Sequence, residues 1–461
     1  MLFEQHYLDC LSQASYVIAD EDTKRAVVVD PRRDVSPYLE TASEHGLTIE
    51  LVIETHFHAD FLSGHLELAE ATGAAIAYGD VAVTEFASRG LADGERISLG
   101  EVTLEIRHTP GHTPESISIV VFERADDAVP YAVLTGDTMF IGDVGRPDLL
   151  SSVGVTADEL AGQLYDSLHG QLLTLPDETR VFPAHGAGSA CGKNLSTDTS
   201  STIGEQRQGN YALQPMSKDD FVAAVTEGQP TAPAYFAYDA MLNRENRELL
   251  DEHAEPDALT VEEIARWQRR GAAIVDTRDP VEFANGHLIG SINVGMAGRY
   301  AEYAGGVVQP GAPIVIVADD GHAREAKNRL ARIGFDNVVG ALADPEEALV
   351  THPDDVVRGS RVDVAGLRDA MASIADLQLV DVRGPGETEG GVIDGAILAP
   401  LPQLNSMLAS LDASKPTIVY CAGGYRSSIG ASRLVAAGFA DVSDLLGGYG
   451  AWTAAHDAQP A

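Results

Sequence analysis

Three kinds of loop in this sequence could do chemistry, and each follows an apolar run. IELVIE leads into THFHADF, which sets His56, His58 and Asp60 at alternate positions. If that stretch is extended, alternation points the three side chains to one side, so two imidazoles and a carboxylate can converge on one ion. PGHTPES then supplies His112, TGDTMF supplies Asp137 and FPAHG supplies His185, each after another strand-like run. A lone histidine is usually a packing residue, but this many donors at strand ends point to a metal site. Much further on, TIVY runs into Cys421, and CAGGYRSS opens onto the helix-like IGASRLVAAG. A cysteine in a glycine-rich loop at a helix N-terminus is surrounded by backbone N–H groups that favour its thiolate. Arg426 adds positive charge, so the loop can hold a persulfide or an anionic sulfur donor.

The elements that must position these groups follow from the same patterning. Residues 1 to about 245 alternate short β-branched runs (AVVVD, IELVIETH, SISIVVF, YAVLTGD) with helix-like SPYLETASEHG and TADELAGQLYDSLHGQLL. That alternation predicts an α/β domain whose sites lie on loops at strand ends. From about Leu259 the sequence repeats: Asp276, Arg278, Glu282, Gly290 and Ile292 recur 105 positions later as Asp381, Arg383, Glu387, Gly395 and Ile397. A period of that length is a duplicated domain, since solenoid units repeat every 20–50 residues or so. The expected boundaries are 1–245, 256–350 and 360–461. Between Pro215 and Pro256, FVAAVTEG and the charge-rich MLNRENRELLDEH predict a connecting helical element.

Composition narrows the partners. Against 31 basic side chains stand 70 acidic ones, a net charge of −39, which excludes a general basic surface for nucleic acid or anionic lipid. Small molecules are the expected partners. The hydrophobic fraction of 44% is ordinary, and no run of about 18 uncharged apolar residues appears, so no membrane span is expected. The N-terminus MLFEQHYLDC has neither a basic nor an apolar signal region, and a cytoplasmic location is expected. Cys10, Cys191 and Cys421 are too widely separated for a disulfide framework and read as free thiols.

The order His56, His58, Asp60, His112, Asp137, His185 resembles the metallo-β-lactamase superfamily, whose HxHxDH motif precedes a histidine, a bridging aspartate and a last histidine. The resemblance implies an αββα sandwich. The sequence departs from it at Phe61, which stands where dinuclear members carry the second motif histidine. A phenyl ring offers no lone pair, so one metal is expected. A single ion held by His56, His112 and Asp137 resembles the two-histidine, one-carboxylate arrangement that favours non-haem Fe(II) with open positions for dioxygen and substrate. In the persulfide dioxygenases, which HADF, TPGHTPES, GDTMFIGDVGRPDL and PAHGAGSACGKN resemble, the corresponding residues bind iron. His58 and Asp60 then become residues that orient ligands or a bound water, or structural ones, and His185 lines the cleft. Cys191 either handles sulfur near the iron or is a small inert buried thiol. Lys193 and Arg207 either hold an anionic thiol substrate or are solvated loop charges. Asp143, Arg146 and Asp148 are expected to form a buried loop network. His6, His45, His65, His108 and His169 show no convergent pattern and read as packing or surface residues.

CAGGYRSS, with DVRGPGE and GAI upstream, resembles the rhodanese active loop and its preceding strand. The first copy carries Ala318 in place of the cysteine, followed by Asp319 and Asp320, so it cannot transfer sulfur through a cysteine. Together the resemblances imply an αββα sandwich followed by two rhodanese-like α/β domains, the last with Cys421 and Arg426 as its catalytic residues. The implied activity is oxidation of low-molecular-weight thiol persulfides to sulfite by dioxygen at one Fe(II) per chain. Cys421 would then pass sulfane sulfur between persulfide and sulfite, with thiosulfate as product or donor, and a homo-oligomer is expected. Two rivals stand beside this reading. One is a dinuclear zinc thioester hydrolase like glyoxalase II, against which Phe61 counts; the other is a non-catalytic sulfur carrier or sulfide-responsive protein, against which the intact triad and Cys421 count.

Overall fold

A computed structural model describes residues 1–149 and 154–457. The last four residues of the third expected domain therefore lie outside the described residues. Contacts divide the chain into two compact units, one made of Met1–Ala232 with Phe236–Leu250, the other of Pro233–Tyr235 with Asp251–Ala461.

The first unit is an αββα sandwich. One six-stranded sheet runs in sequence order from Leu2–Leu8 through Gln13–Ala19, Arg25–Val29, Thr48–Ile53 and Ala75–Gly79 to Arg89–Leu91. The other runs in reverse order from Ser201–Thr202 through Arg180–Pro183, Ala132–Gly136, Ile117–Phe122 and Thr103–His108 to Arg96–Ser98. The inner strands are apolar on both faces because both faces are covered. Tyr16 and Ile18 point between the sheets towards Ile106, Ile119 and Leu134, while Val17 and Ala19 pack under the helix residues Tyr38 and Ala42. On the far face, helices Ala157–Ser167 and Lys218–Thr226 cover the second sheet through Leu160-turn neighbours Ala161 and Leu164 and through Phe221. Helix Ala157–Ser167 starts where the sequence says it should: Thr156 and Glu159 form a capping box.

The expected helix over MLNRENRELLDEH does not form as read. A helix covers Phe236–Leu242 and stops there, and from residue 243 the chain becomes a non-helical strap. Its side chains bind the first unit instead of each other. Asn243 joins the loop at 58–63, and Arg247 pairs with the buried Glu67. Tertiary hydrogen bonds override a helical composition here.

The second unit holds two five-stranded parallel sheets of the same order. The first is Ala258–Leu259, Val338–Leu342, Ile314–Val317, Ala273–Asp276, Ser291–Asn293; the second is Ser360–Val362, Val442–Leu445, Thr417–Tyr420, Gln378–Asp381, Ile397–Leu398. The repeated Asp-x-Arg is structural in both. Asp276 and Asp381 end equivalent strands, each fully buried and each bound to the arginine two residues on, at 2.5 and 2.6 Å. Burying a carboxylate at a strand end requires such a partner. Among the described residues, no helix is long and apolar enough to cross a membrane.

Candidate metal centre and sulfur-transfer loop

The residues of the first motif group meet at the strand ends of the sandwich. His56 follows the strand Thr48–Ile53, His112 sits between Thr103–His108 and Ile117–Phe122, Asp137 follows Ala132–Gly136, and His185 follows Arg180–Pro183. All four are at most 1% exposed. Gly136 allows the approach: its φ is +51°, and a Cβ there would stand 2.7 Å from the Thr55 hydroxyl.

His56 Nε2 and His112 Nε2 lie 3.7 and 3.5 Å from the same Asp137 oxygen, Oδ2. The hydrogen bonds behind the rings decide what those nitrogens carry. His112 Nδ1 is 2.8 Å from the Arg146 carbonyl, which can only accept, so Nδ1 holds the proton. Thr55 Oγ1 donates to Asp30 Oδ2 at 2.8 Å and is 3.0 Å from His56 Nδ1, so that nitrogen too is the donor. Both Nε2 atoms therefore present lone pairs to a carboxylate oxygen. His56 Nε2 and Asp137 Oδ2 have no hydrogen-bond partner. Burial, then the neighbouring His58, pushes the His56 imidazole well below its ordinary pKa and keeps it neutral. Asp137 is held below the usual carboxylate range: burial opposes its ionisation, and His185, 2.7 Å away, outweighs it. Three buried acceptors facing one point repel one another unless a cation lies between them, so the donor set fits a metal ion.

The motif loop is not extended, which corrects the simple alternation argument. His56 joins His112 and Asp137, whereas His58 turns to Asp30, at 3.1 Å, and Glu54, at 3.5 Å. Asp60 turns to His185 Nε2, at 2.9 Å, while His185 Nδ1 is 2.7 Å from Asp137 Oδ1. His58, Asp60 and His185 also form a group whose donor atoms lie within 4.8 Å of one another. The Phe61 ring lies tilted against His58 with centroids 4.2 Å apart, and it offers no ligand atom to this group. Burial opposes a charged His58, but Asp30 and Glu54 outweigh it and push its pKa up to about 10.

Cys191 is 1% exposed, and its donor atom lies within 4.8 Å of those of Asp137 and His185. Burial pushes its thiol well above the ordinary range, with Asp60 and Asp137 adding to it. The two cations considered for an anionic substrate are engaged elsewhere. Lys193 Nζ donates to the Ala224 and Glu227 carbonyls, and Arg207 to those of Leu173 and Leu175. Of the expected network of Asp143, Arg146 and Asp148, Arg146 grips Asp148 at 2.7 and 2.8 Å, while Asp143 accepts from the backbone of Lys193 and Asn194. Sequence reasoning missed Asp30, Glu54 and Asn243, and it set His65 aside. His65 is fully buried with Nδ1 3.4 Å from Glu54. The signal available was the carboxylate ending each apolar run, VVVD and VIE.

In the second unit Cys421 follows directly on the strand Thr417–Tyr420 and is 1% exposed. The Gly424 N–H donates to its sulfur at 3.1 Å, and Ser427 Oγ lies at 3.8 Å. Gly448 presses on the loop from behind: its φ is +57°, and a Cβ would stand 2.2 Å from the Cys421 carbonyl. Arg426 does not stand free beside the thiol. Both of its terminal nitrogens bind Glu387, at 2.6 and 2.5 Å.

Fold and sites define the class. The family model for the metallo-β-lactamase superfamily matches residues 8–185, and that for the rhodanese-like domain matches 260–344 and 364–455. A solved metallo-β-lactamase from Staphylococcus aureus subsp. aureus COL is 32% identical, with a TM-score of 0.66 over 74% of this chain and 98% of that one. The chain belongs to the metallo-β-lactamase superfamily and carries two rhodanese-like domains. Human mitochondrial persulfide dioxygenase ETHE1 is 28% identical over 209 residues, 45% of this chain and 74% of that one. A β-lactamase hydrolase-like protein of Xylella fastidiosa (strain 9a5c) is 29% identical over 254 residues, 48% of this chain. The chain spans about half, 54%, of the length of that relative.

Proposed function

We propose that the first unit is an iron-dependent persulfide dioxygenase and that the last domain is a sulfurtransferase acting through Cys421. The observation that carries the first half is the convergence of two imidazole lone pairs and one carboxylate oxygen on a single point; Phe61, at the motif position where dinuclear members carry a histidine, supports a single ion. His56, His112 and Asp137 would hold one Fe(II), which when bound supplies dioxygen activation and a place for an anionic sulfur. The chain's own residues fix that arrangement. Thr55 and the Arg146 carbonyl set the tautomers of the two histidines, and His185 bridges Asp137 and Asp60. The net reaction is RSSH + O2 + H2O giving RSH, sulfite and two protons. In the last domain the Cys421 thiolate attacks the outer sulfur of a persulfide. The S–S bond breaks, RSH leaves, and a cysteine persulfide forms. Sulfite then takes that sulfur as thiosulfate and regenerates the thiolate. The similarity to ETHE1 supports the substrate class, and the rhodanese-like match supports the transfer.

Metal analysis with oxygen uptake tests this reading. Active protein should carry about one iron per chain, and His112→Ala should abolish persulfide-dependent oxygen uptake while sulfurtransferase turnover persists. Two stoichiometric zinc ions in active protein would establish the hydrolase rival.

A further inference from the structure

The two rhodanese-like copies differ at one matched strand position in a way that joins them. In the degenerate copy Asn293 pairs with Asp276 across parallel strands, and in the catalytic copy Leu398 pairs with Asp381 in the same register. Leu398 is 46% exposed, whereas Asn293 is fully buried. Asn293 meets the helix that follows Cys421, Tyr425–Ala436: Ser428 Oγ donates to Asn293 Oδ1 at 2.7 Å, and the Asn293 N–H donates to Ser432 Oγ at 2.9 Å. Asn293 Nδ2 turns back into its own copy and donates to the Asp276 and Arg278 carbonyls at 3.2 and 2.9 Å. One asparagine thus ties the strand end of the degenerate copy to the catalytic helix.

A second tie holds the same helix by its first residue. Tyr425 Oη donates to the Gly295 carbonyl at 2.6 Å and the Ala297 carbonyl at 3.1 Å. The carbonyls between and after these, of Met296 and Gly298, accept from Arg329 of helix Ala323–Ala331 at 2.7 and 2.6 Å, so the receiving loop is itself held. Tyr425 follows directly on Gly424, whose N–H donates to the Cys421 sulfur at 3.1 Å. The backbone N–H groups of a helix start have no partners within the helix, and where they aim depends on where the helix begins. Both ties therefore act on the donors that face the thiol.

We infer that the degenerate copy is a positioning domain for sulfur transfer: Asn293 and the carbonyls at 295 and 297 fix the start of the Tyr425–Ala436 helix, and with it the N–H groups that receive an anionic sulfur donor at Cys421. The inference rests on the sulfurtransferase reading of Cys421. Asn293 and Tyr425 are positioning residues, which act through the loop and touch no substrate. The buried Asp276–Arg278 pair, in a copy without a cysteine, then has work to do: it holds the strand end from which Asn293 reaches the helix.

Asn293→Ala tests this from the degenerate side, but it also strips the Asp276 and Arg278 carbonyls of a donor and can unfold that copy. The double variant Tyr425→Phe with Ser428→Ala, in the full chain, removes only the two hydroxyl donors of the helix. Misaimed N–H groups should lower kcat/KM for thiosulfate about tenfold. The readout specific to aim needs no turnover: the alkylation rate at Cys421, followed by peptide mass spectrometry, with anionic iodoacetate and neutral iodoacetamide. The ratio of the iodoacetate rate to the iodoacetamide rate should fall about tenfold, as for loss of one hydrogen bond to a charged group. An unchanged ratio in the double variant overturns the proposal even if the second unit unfolds at lower urea, because the ties would then only hold the two copies together. Wild-type protein without thiosulfate turnover, whose ratio nonetheless falls in the double variant, would leave the positioning in place and sink the sulfurtransferase reading instead.

Discussion

A single threonine shows how this site works at the residue scale. Thr55 has one hydroxyl proton and gives it to Asp30, so its oxygen must accept from His56 Nδ1, and Nε2 is left with a lone pair. Asp30 thereby acts on the metal site through a residue that touches no metal. Thr55→Val keeps the shape and removes both bonds. It frees the His56 ring to take the other tautomer and leaves Asp30 Oδ2 short of a donor. Affinity for the metal, iron in the proposed function, should fall roughly 10- to 100-fold, the range for losing a group that orients a metal ligand. Competition against a chelator of known affinity measures it; an affinity within twofold of wild type would mean that Thr55 does not set the tautomer.

At the scale of elements, strand ends were legible and the strap was not. The apolar runs before His56, His112, Asp137 and His185 are strands, and their common end gathers those side chains, because a covered sheet offers polar groups room only at its edges and ends. The Asp-x-Arg repeat likewise placed two equivalent strand ends in the second unit. What the sequence did not reveal was pairing across distance. Asn243 lies 180 residues from Ser63 yet accepts its N–H at 2.9 Å and donates to the His58 and Phe61 carbonyls at 2.8 and 2.9 Å. Nothing local marks such a residue, and the surrounding leucines, arginines and glutamates read as a helix. The same blindness hid Asp30 and Glu54, whose partner His58 was assigned from motif order alone. Asn243→Ala leaves one buried N–H and two carbonyls without partners, and should destabilise the first unit by about 2–4 kcal/mol. Urea unfolding followed separately for each unit checks this. Equal loss in both units, or no loss, would show that the strap does not brace the metal loop.

At the scale of the whole molecule, the chain has two compact units with separate hydrophobic cores, so one site can be removed without unfolding the other. That makes the proposed coupling testable by product. Cys421→Ser exchanges a thiol for a hydroxyl that stays protonated at neutral pH and cannot carry a persulfide. The change is nearly isosteric in a buried position, and the Gly424 N–H can still donate to the oxygen, so the loop should hold its shape. Sulfur transfer should disappear. Persulfide-dependent oxygen uptake should continue, because the donor set at His56, His112 and Asp137 belongs to the other unit. Sulfite formed there would then lack its donor of sulfane sulfur, and the product should move from thiosulfate towards sulfite. The measurement is the ratio of the two products under limiting oxygen, corrected for the direct reaction of sulfite with persulfide. Thiosulfate formed at the wild-type rate after that correction would remove Cys421 from the transfer step. The buried Cys191, whose donor atom lies within 4.8 Å of those of Asp137 and His185, would then be the thiol to replace next.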